Sequence, residues 1–248
     1  MHNLALALQE QGHQVSGSDD EIFEPSKTRL AKKGLLPDTI GWDASRIHDD
    51  LDIVVLGMHA RKDNPELKKA LELNLSVYSY PEFLYESSKD KTRVVITGSH
   101  GKTTITSMIL HVLNFHDRDC DFMVGAQLEG FETMVRLSDH NEFMLIEGDE
   151  YLSSPLDPRP KFVHYRPNIA LLSGIAWDHY NVFPAYEQYR HQFELLLDYI
   201  EPGGQIIYNK DDTEVEHLIE EAKQEIKKFP YHTPSYHVEN QRFVLNTI

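Results

Sequence analysis

Apolar and polar positions along this chain switch between two periods. Helical spacing marks 4–11, closed by Gly12-His13, and a second helix over 25–33 is stopped by Gly34. A short strand is expected at 15–17. The run Ile53-Val54-Val55-Leu56 suits a strand buried in a parallel sheet. A helix follows over 64–73, with Pro65 at an allowed early position, then a strand at 77–79 and a helix over 81–86. This alternation predicts a parallel sheet flanked by helices.

The segment 87–92 (SSKDKT) is polar and aperiodic, and it reads as a domain boundary. Beyond it, strands are predicted at 94–96, 122–124, 143–146, 169–172 and 205–208. Helices are predicted over 102–115, 185–200 and 213–228, the second ended by Pro202-Gly203-Gly204. Residues 243–248 resemble a strand without a partner. The chain opens inside what should be the helix after a first strand and glycine turn, so both ends are expected to be cut relative to a longer protein. The fold class expected is α/β: a truncated Rossmann-like domain over 1–90, then a P-loop domain over 91–248, itself incomplete at its end.

The length of 248 residues, with 40% apolar, supports a packed core in each half. No apolar run approaches the ~18 residues of a membrane span, and the first residues lack the features of a signal peptide. The single cysteine, Cys120, cannot form an internal disulfide and is expected as a small buried side chain in a reducing, cytoplasmic setting. A formal charge of -16 argues against a nucleic-acid partner, and no membrane partner is expected. An anionic ligand would need local positive groups and helix N-termini to offset that field.

The strongest local signal is Val94-Val95-Ile96-Thr97-Gly98-Ser99-His100-Gly101-Lys102-Thr103-Thr104. A buried strand runs into a glycine turn, and a helix then starts with its free N–H groups facing back. Such a loop holds phosphate through amides and the helix dipole. Lys102 can reach the β- and γ-phosphates, and the Thr103 hydroxyl can ligate Mg²⁺. The match is to GxxGKT; Ile96 stands where the longer form has its first glycine. An ordinary strand-to-helix turn is the competing reading, and the flanking strand and helix weigh against it.

Two more strands end in polar turns. Phe143 to Ile146 leads into Glu147-Gly148-Asp149-Glu150, which places Glu147 at a strand C-terminus, where parallel sheets bind ligands. Beside a P-loop, Glu147 reads as a Mg²⁺ ligand, while Asp149 and Glu150 are either further ligands or solvated loop charges. Ile169 to Leu172 leads through Ser173-Gly174-Ile175-Ala176-Trp177 to Asp178-His179. These two could serve a second metal or orient a carboxylate, although a lone His among 14 is more often structural. In the first half, Ser18 and Asp19 follow the strand expected at 15–17 and could read a ribose or uracil, or simply form an Asx-type turn. His59 is a weaker choice for the same site. Arg166 is open between a substrate contact and a surface salt bridge.

In this order and spacing the three clusters resemble the Mur ligase family. Its P-loop looks like Gly98 to Thr104, its acidic motif is similar to Glu147-Gly148-Asp149-Glu150, and its DH motif matches Asp178-His179. Gly17-Ser18-Asp19 and Asp63-Asn64-Pro65-Glu66 resemble its UDP-sugar domain. Glu147 to Tyr151 followed by Lys161-Phe162-Val163-His164-Tyr165-Arg166-Pro167 is most similar to the recycling branch. That branch joins UDP-N-acetylmuramate to L-alanyl-γ-D-glutamyl-meso-diaminopimelate. A related branch uses L-alanine.

The resemblance implies ATP and Mg²⁺ as cofactors, with UDP-N-acetylmuramate and a peptide or amino acid as substrates. It implies Lys102, Glu147 and His179 as catalytic residues and Gly98, Ser99, His100, Gly101, Lys102, Thr103 and Thr104 as the nucleotide cradle. It assigns the metal to Thr103, Glu147 and His179; Ser18, Asp19 and His59 are the candidates for the sugar-nucleotide site, and Arg166 is the candidate for a substrate contact. The chain departs from the family at Ser173, Gly174 and Ala176, where Asn and Glu are usual, and at Asn181, where Asp is usual. It carries neither the family's N-terminal GxGG turn nor its third domain, so binding without complete catalysis is one expectation. A P-loop ATPase of another kind, a folylpolyglutamate-synthase-like ligase and a non-catalytic nucleotide-binding module are the rival readings.

Overall fold

The computed structural model describes residues 1–154, 156–222 and 225–246. The first part contains α1 (His2–Glu10), α2 (Ser26–Lys32), a 3-10 turn (Ala44–Arg46), β1 (Ile53–Leu56), α3 (Pro65–Glu72), β2 (Ser76–Ser79) and α4 (Tyr80–Glu86). β1 and β2 pair in parallel, Ile53 opposite Ser76. Asn64 starts α3 by accepting the N–H groups of Glu66 and Leu67 at 2.8 and 3.1 Å. Ser79 and Glu82 close a reciprocal capping box on α4.

The second part contains β3 (Thr92–Thr97), α5 (Lys102–Phe115), β4 (Asp121–Met123), β5 (Val135–Arg136) and β6 (Phe143–Glu147). A small hairpin, β7 (Leu152–Ser154) with β8 (Asp157–Pro160), leads to α6 (Lys161–Tyr165) and β9 (Ile169–Leu172). There follow α7 (Tyr186–Asp198), β10 (Gln205–Asn209), α8 (Thr213–Glu221), β11 (Lys227–Tyr231), β12 (Tyr236–Glu239) and β13 (Arg242–Leu245). Seven strands form one sheet in the order β11-β10-β9-β3-β6-β4-β5. All its pairings are parallel except β4 with β5.

The pleat divides the core. Val95, Met144, Ile146, Ala170 and Leu172 face a cluster with Leu4, Leu84, Phe162, Tyr189, Phe193 and Leu218. Ile96 and Leu145 face the other way, against Leu110 and Phe122. Thus α1 and α4 of the first part share the core of the second. Each large apolar side chain buried there contributes about 1.5–3 kcal/mol. Cys120 is buried, and that burial pushes its thiol up to about 11.

Three expectations are corrected. Residues 15–17 form no strand, because an extended segment gains ladder bonds only beside a partner strand and no described strand flanks it. The helix expected over 213–228 ends at Glu221, since Ala222 turns extended (ψ 122°) and Lys227 pairs with Gln205 at the sheet edge; residues 223–224 of that span lie outside the described ones. The final strand is not partnerless. β13 pairs with β12 across Asn240 and Gln241, both with positive φ, as a two-residue hairpin turn requires; 247–248 lie outside the described residues. Within the polar segment 87–92 Ser88 is buried, and the Arg93 guanidinium binds the carbonyls of Ser88, Lys89 and Lys91. None of the described helices is long and apolar enough to cross a membrane.

Candidate nucleotide site

β3 lies at the middle of the large sheet, with β6 on one side and β9 on the other. Three strand ends therefore converge. Ile96 is opposite Glu147, and Thr97 is opposite Leu172, so the turns after all three strands meet at one edge. Gly98 has φ +127° and Gly101 has φ +83°, which makes the loop possible. A Cβ at Gly98 would lie 2.2 Å from Ser173 Oγ. Gly101 caps α5, whose 14 residues begin at Lys102, and the first N–H groups have no partner within the helix.

Lys102 is tucked into this loop. Its Nζ donates to Gly98 O at 2.7 Å and to Glu150 Oε2 at 3.2 Å. Thr103 Oγ1 donates to Glu147 Oε1 at 2.7 Å, and Gly125 N holds the other carboxylate oxygen at 2.9 Å. Ser99 accepts from the buried Tyr189 hydroxyl at 2.9 Å, and Ser173 Oγ donates to His100 O at 3.0 Å. His100 itself is exposed, 3.5 Å from Asp178 Oδ2. Thr104 is exposed in the first turn of α5, and its carbonyl accepts from Ser107 Oγ.

The residues suit Mg²⁺. Two oxygens on adjacent corners of an octahedron with bonds of about 2.05 Å stand about 2.9 Å apart. The 2.7 Å between Thr103 Oγ1 and Glu147 Oε1 is close to that spacing. The third expected ligand is differently placed. His179 has φ +57°, its Nε2 is 3.0 Å from Glu150 Oε1, and its Nδ1 is 2.5 Å from the Tyr151 hydroxyl. Both ring nitrogens are already engaged. Asp178 accepts the His179 N–H at 2.6 Å, and that bond holds its carboxyl below the usual range. Asp149 is turned away, paired with Lys161 at 2.7 Å.

The remaining predicted residues do not join this cluster. Arg166 precedes β9, at the opposite end of the sheet, where it pairs with Glu201 at 3.0 Å and lies over the Tyr85 ring. The four-residue strand β9 separates Arg166 from the phosphate loop. In the first part, the Ser18 hydroxyl donates to Glu66, which also accepts Asp43 N at 2.9 Å. Burial holds the Asp19 carboxyl above its ordinary value. His59 is exposed in the turn after β1. A cavity of about 360 Å³ opens beside Val15, Ser16 and Gly17, between Leu35 and Arg46, without Ser18, Asp19 or His59 in its lining.

Sequence reasoning missed the part played by Tyr189, and left Glu150 open. Tyr189 reads as one apolar position of an amphipathic helix, and no motif marks it. Three acidic or imidazole donors gather among the described residues at Glu82, Asp157 and His164. There Asp157 is held on both oxygens by Arg159, and Glu82 belongs to the capping box.

Residues 96–245 match the Mur ligase middle domain, and residues 1–92 match the catalytic domain of the Mur ligase family. The chain belongs to the Mur ligase family. Among curated Mur ligases, the UDP-N-acetylmuramate–L-alanyl-γ-D-glutamyl-meso-2,6-diaminoheptandioate ligase of Escherichia coli K12 is 32% identical over 86% of this chain and 46% of its own length. The UDP-N-acetylmuramate–L-alanine ligase of Clostridium perfringens is 34% identical over 90% of this chain and 47% of its own. The chain thus spans about half the length of the curated relatives it matches. Among solved Mur ligases, the UDP-N-acetylmuramate:L-alanyl-γ-D-glutamyl-meso-diaminopimelate ligase from Neisseria meningitides superposes with a TM-score of 0.83. It is 26% identical, covering 98% of this chain and 82% of that one.

Proposed function

We propose that this chain carries the nucleotide site of an ATP-dependent amide ligase. The reaction joins UDP-N-acetylmuramate to L-alanyl-γ-D-glutamyl-meso-diaminopimelate in cytoplasmic recycling of cell-wall peptide. The observation that carries this reading is the Lys102-Thr103-Glu147 arrangement at the end of β3, with Thr103 Oγ1 2.7 Å from Glu147 Oε1. Residues 1–90 would form the UDP-sugar domain and 91–248 the ATP domain. The similarity to relatives named for the tripeptide supports that acceptor. Similarity to relatives named for L-alanine supports a second reading, in which L-alanine is joined instead.

A carboxylate is a poor electrophile, which is why such a ligation needs ATP. The lactyl carboxylate would attack the γ-phosphorus and release ADP, leaving an acyl phosphate. The incoming amine would then attack the acyl carbon, lose a proton and expel phosphate. The chain's work is positioning and charge neutralisation. Lys102 would reach the β- and γ-phosphates, and the loop from Gly98 to Thr104 would cradle them with backbone amides. Thr103 and Glu147 would hold Mg²⁺, which would supply neutralisation of the phosphate charge. His179 would serve a second ion only on releasing Glu150 or Tyr151. Ser18, Asp19 and His59 would lie on the sugar-nucleotide side.

The test is ADP release by the whole protein with Mg-ATP and UDP-N-acetylmuramate, offering the tripeptide or L-alanine, with Lys102→Ala as control. Turnover with the tripeptide alone, lost in the variant, is the expected result. Turnover with L-alanine alone would select the second reading. Release of ADP regardless of the UDP-sugar would overturn both.

A further inference from the structure

Glu150 occupies an unusual position for a carboxylate. Its side chain is fully buried, in a loop between β6 and the β7–β8 hairpin. Removing a carboxylate from water costs several kcal/mol unless charges and donors compensate. Each of its oxygens has one principal donor. Oε2 is 3.2 Å from Lys102 Nζ, and Oε1 is 3.0 Å from His179 Nε2. The Tyr189 hydroxyl, which donates to Ser99, stands 3.4 Å from Oε1.

This arrangement has a definite proton pattern. The Tyr151 phenol carries an O–H donor aimed at the His179 ring. It donates to His179 Nδ1 across 2.5 Å. Nδ1 is then the acceptor nitrogen, and Nε2 carries the proton that faces Glu150. On the other side, Lys102 Nζ donates to Gly98 O and Glu150 Oε2, with Ser99 O 3.5 Å away, so all three acceptors come from the loop and Glu150.

We infer that Glu150 is a positioning residue that ties Lys102 to His179, so one buried carboxylate sets both the ammonium of the phosphate loop and the tautomer of the DH histidine. Glutamine is isosteric but cannot replace it. Its single carbonyl oxygen can serve Lys102 or His179, and its NH₂ then faces the hydrogens of the other. The coupling is a property of the folded chain; its consequence for nucleotide rests on the phosphate-site reading above.

The experiment has two readouts. The first is imidazole ¹⁵N NMR of the ligand-free protein at alkaline pH, for the unsubstituted protein, Glu150→Gln and Lys102→Ala. The expected result is an Nε2–H tautomer at His179, lost or averaged in Glu150→Gln. The His179 resonances should also shift in Lys102→Ala, because Oε2 loses its partner. His179 resonances that coincide in the unsubstituted protein and Lys102→Ala overturn the inference, and that comparison stands even if Glu150→Gln does not fold. The second readout is Mg-ADP affinity by calorimetry. Glu150→Gln should weaken it about tenfold, and the effect should vanish in the Lys102→Ala background. An equal loss in both backgrounds overturns the route through Lys102. If the unsubstituted protein fails to bind Mg-ADP, the phosphate-site reading fails, and the NMR comparison still decides the coupling.

Discussion

Thr103 Oγ1 and Glu147 Oε1 stand 2.7 Å apart, although 43 residues separate them in the chain. One belongs to the helix after β3 and the other to the end of β6. The parallel pairing of those strands brings them together, and Gly125 N fixes the far oxygen of Glu147.

Glu147→Gln should abolish the dependence of nucleotide binding on Mg²⁺. In the unsubstituted protein, adding Mg²⁺ should tighten ADP binding; in the variant most of that gain, about tenfold or more, should disappear. Calorimetric titrations with and without the ion measure this. An unchanged Mg²⁺ dependence would place the ion elsewhere.

Gly98→Ala should destabilise the fold, by about 3 kcal/mol or more. The new methyl would meet Ser173 Oγ at 2.2 Å, and the backbone φ of +127° disfavours any side chain. Adding Ser173→Gly should restore only part of the loss, since it removes the clash and leaves the backbone strain. Thermal unfolding of the single and double variants would separate the two costs.

Arg93→Met should lower stability by roughly 3–5 kcal/mol. Arg93 is buried and donates to the carbonyls of Tyr165 at 2.8 Å and Ser88 at 2.9 Å, with Lys89, Lys91 and Arg166 nearby. Methionine fills much of the volume but leaves those acceptors without a donor. Urea denaturation gives the number; a loss below about 1 kcal/mol would mean that water replaces the guanidinium.

His2 should make stability fall on acidification. Burial, with Arg29 nearby, holds its imidazole down to about 4, from an ordinary value of 6.5. The unfolded chain therefore binds more protons between those values. Stability should rise with pH across about 4 to 6.5 and be flat in this contribution above it. His2→Gln should reduce that slope in melts taken at intervals of pH.

The sequence made the phosphate loop legible because its chemistry is local. Gly98, Gly101, Lys102 and Thr103 sit within six residues, and the strand before them and the helix after them have clear periods. Glu147 could be placed for a related reason: an apolar strand ending in acids points to the ligand-binding edge of a parallel sheet. The short pieces were not legible. β7, β8 and α6 span three to five residues each, too few for a period to register, and β11 lies in a segment whose charge pattern also suits a helix.

Strand and helix periodicity, the glycine turn and the acidic strand end are determined by neighbours in the chain, and the sequence carried them by itself. Which donor each carboxylate meets was decided only by the sheet order. Glu147 turns to Thr103 because β6 lies beside β3, while Asp149, two residues on, meets Lys161 and Glu150 is buried against Lys102 and His179. Arg166 illustrates the same limit. It follows a helix whose neighbouring residues carry the family likeness, yet it sits at the far end of β9, paired with Glu201. A motif specifies which groups are present, and long-range packing specifies their partners, because the energy of a buried charge depends on what surrounds it in space.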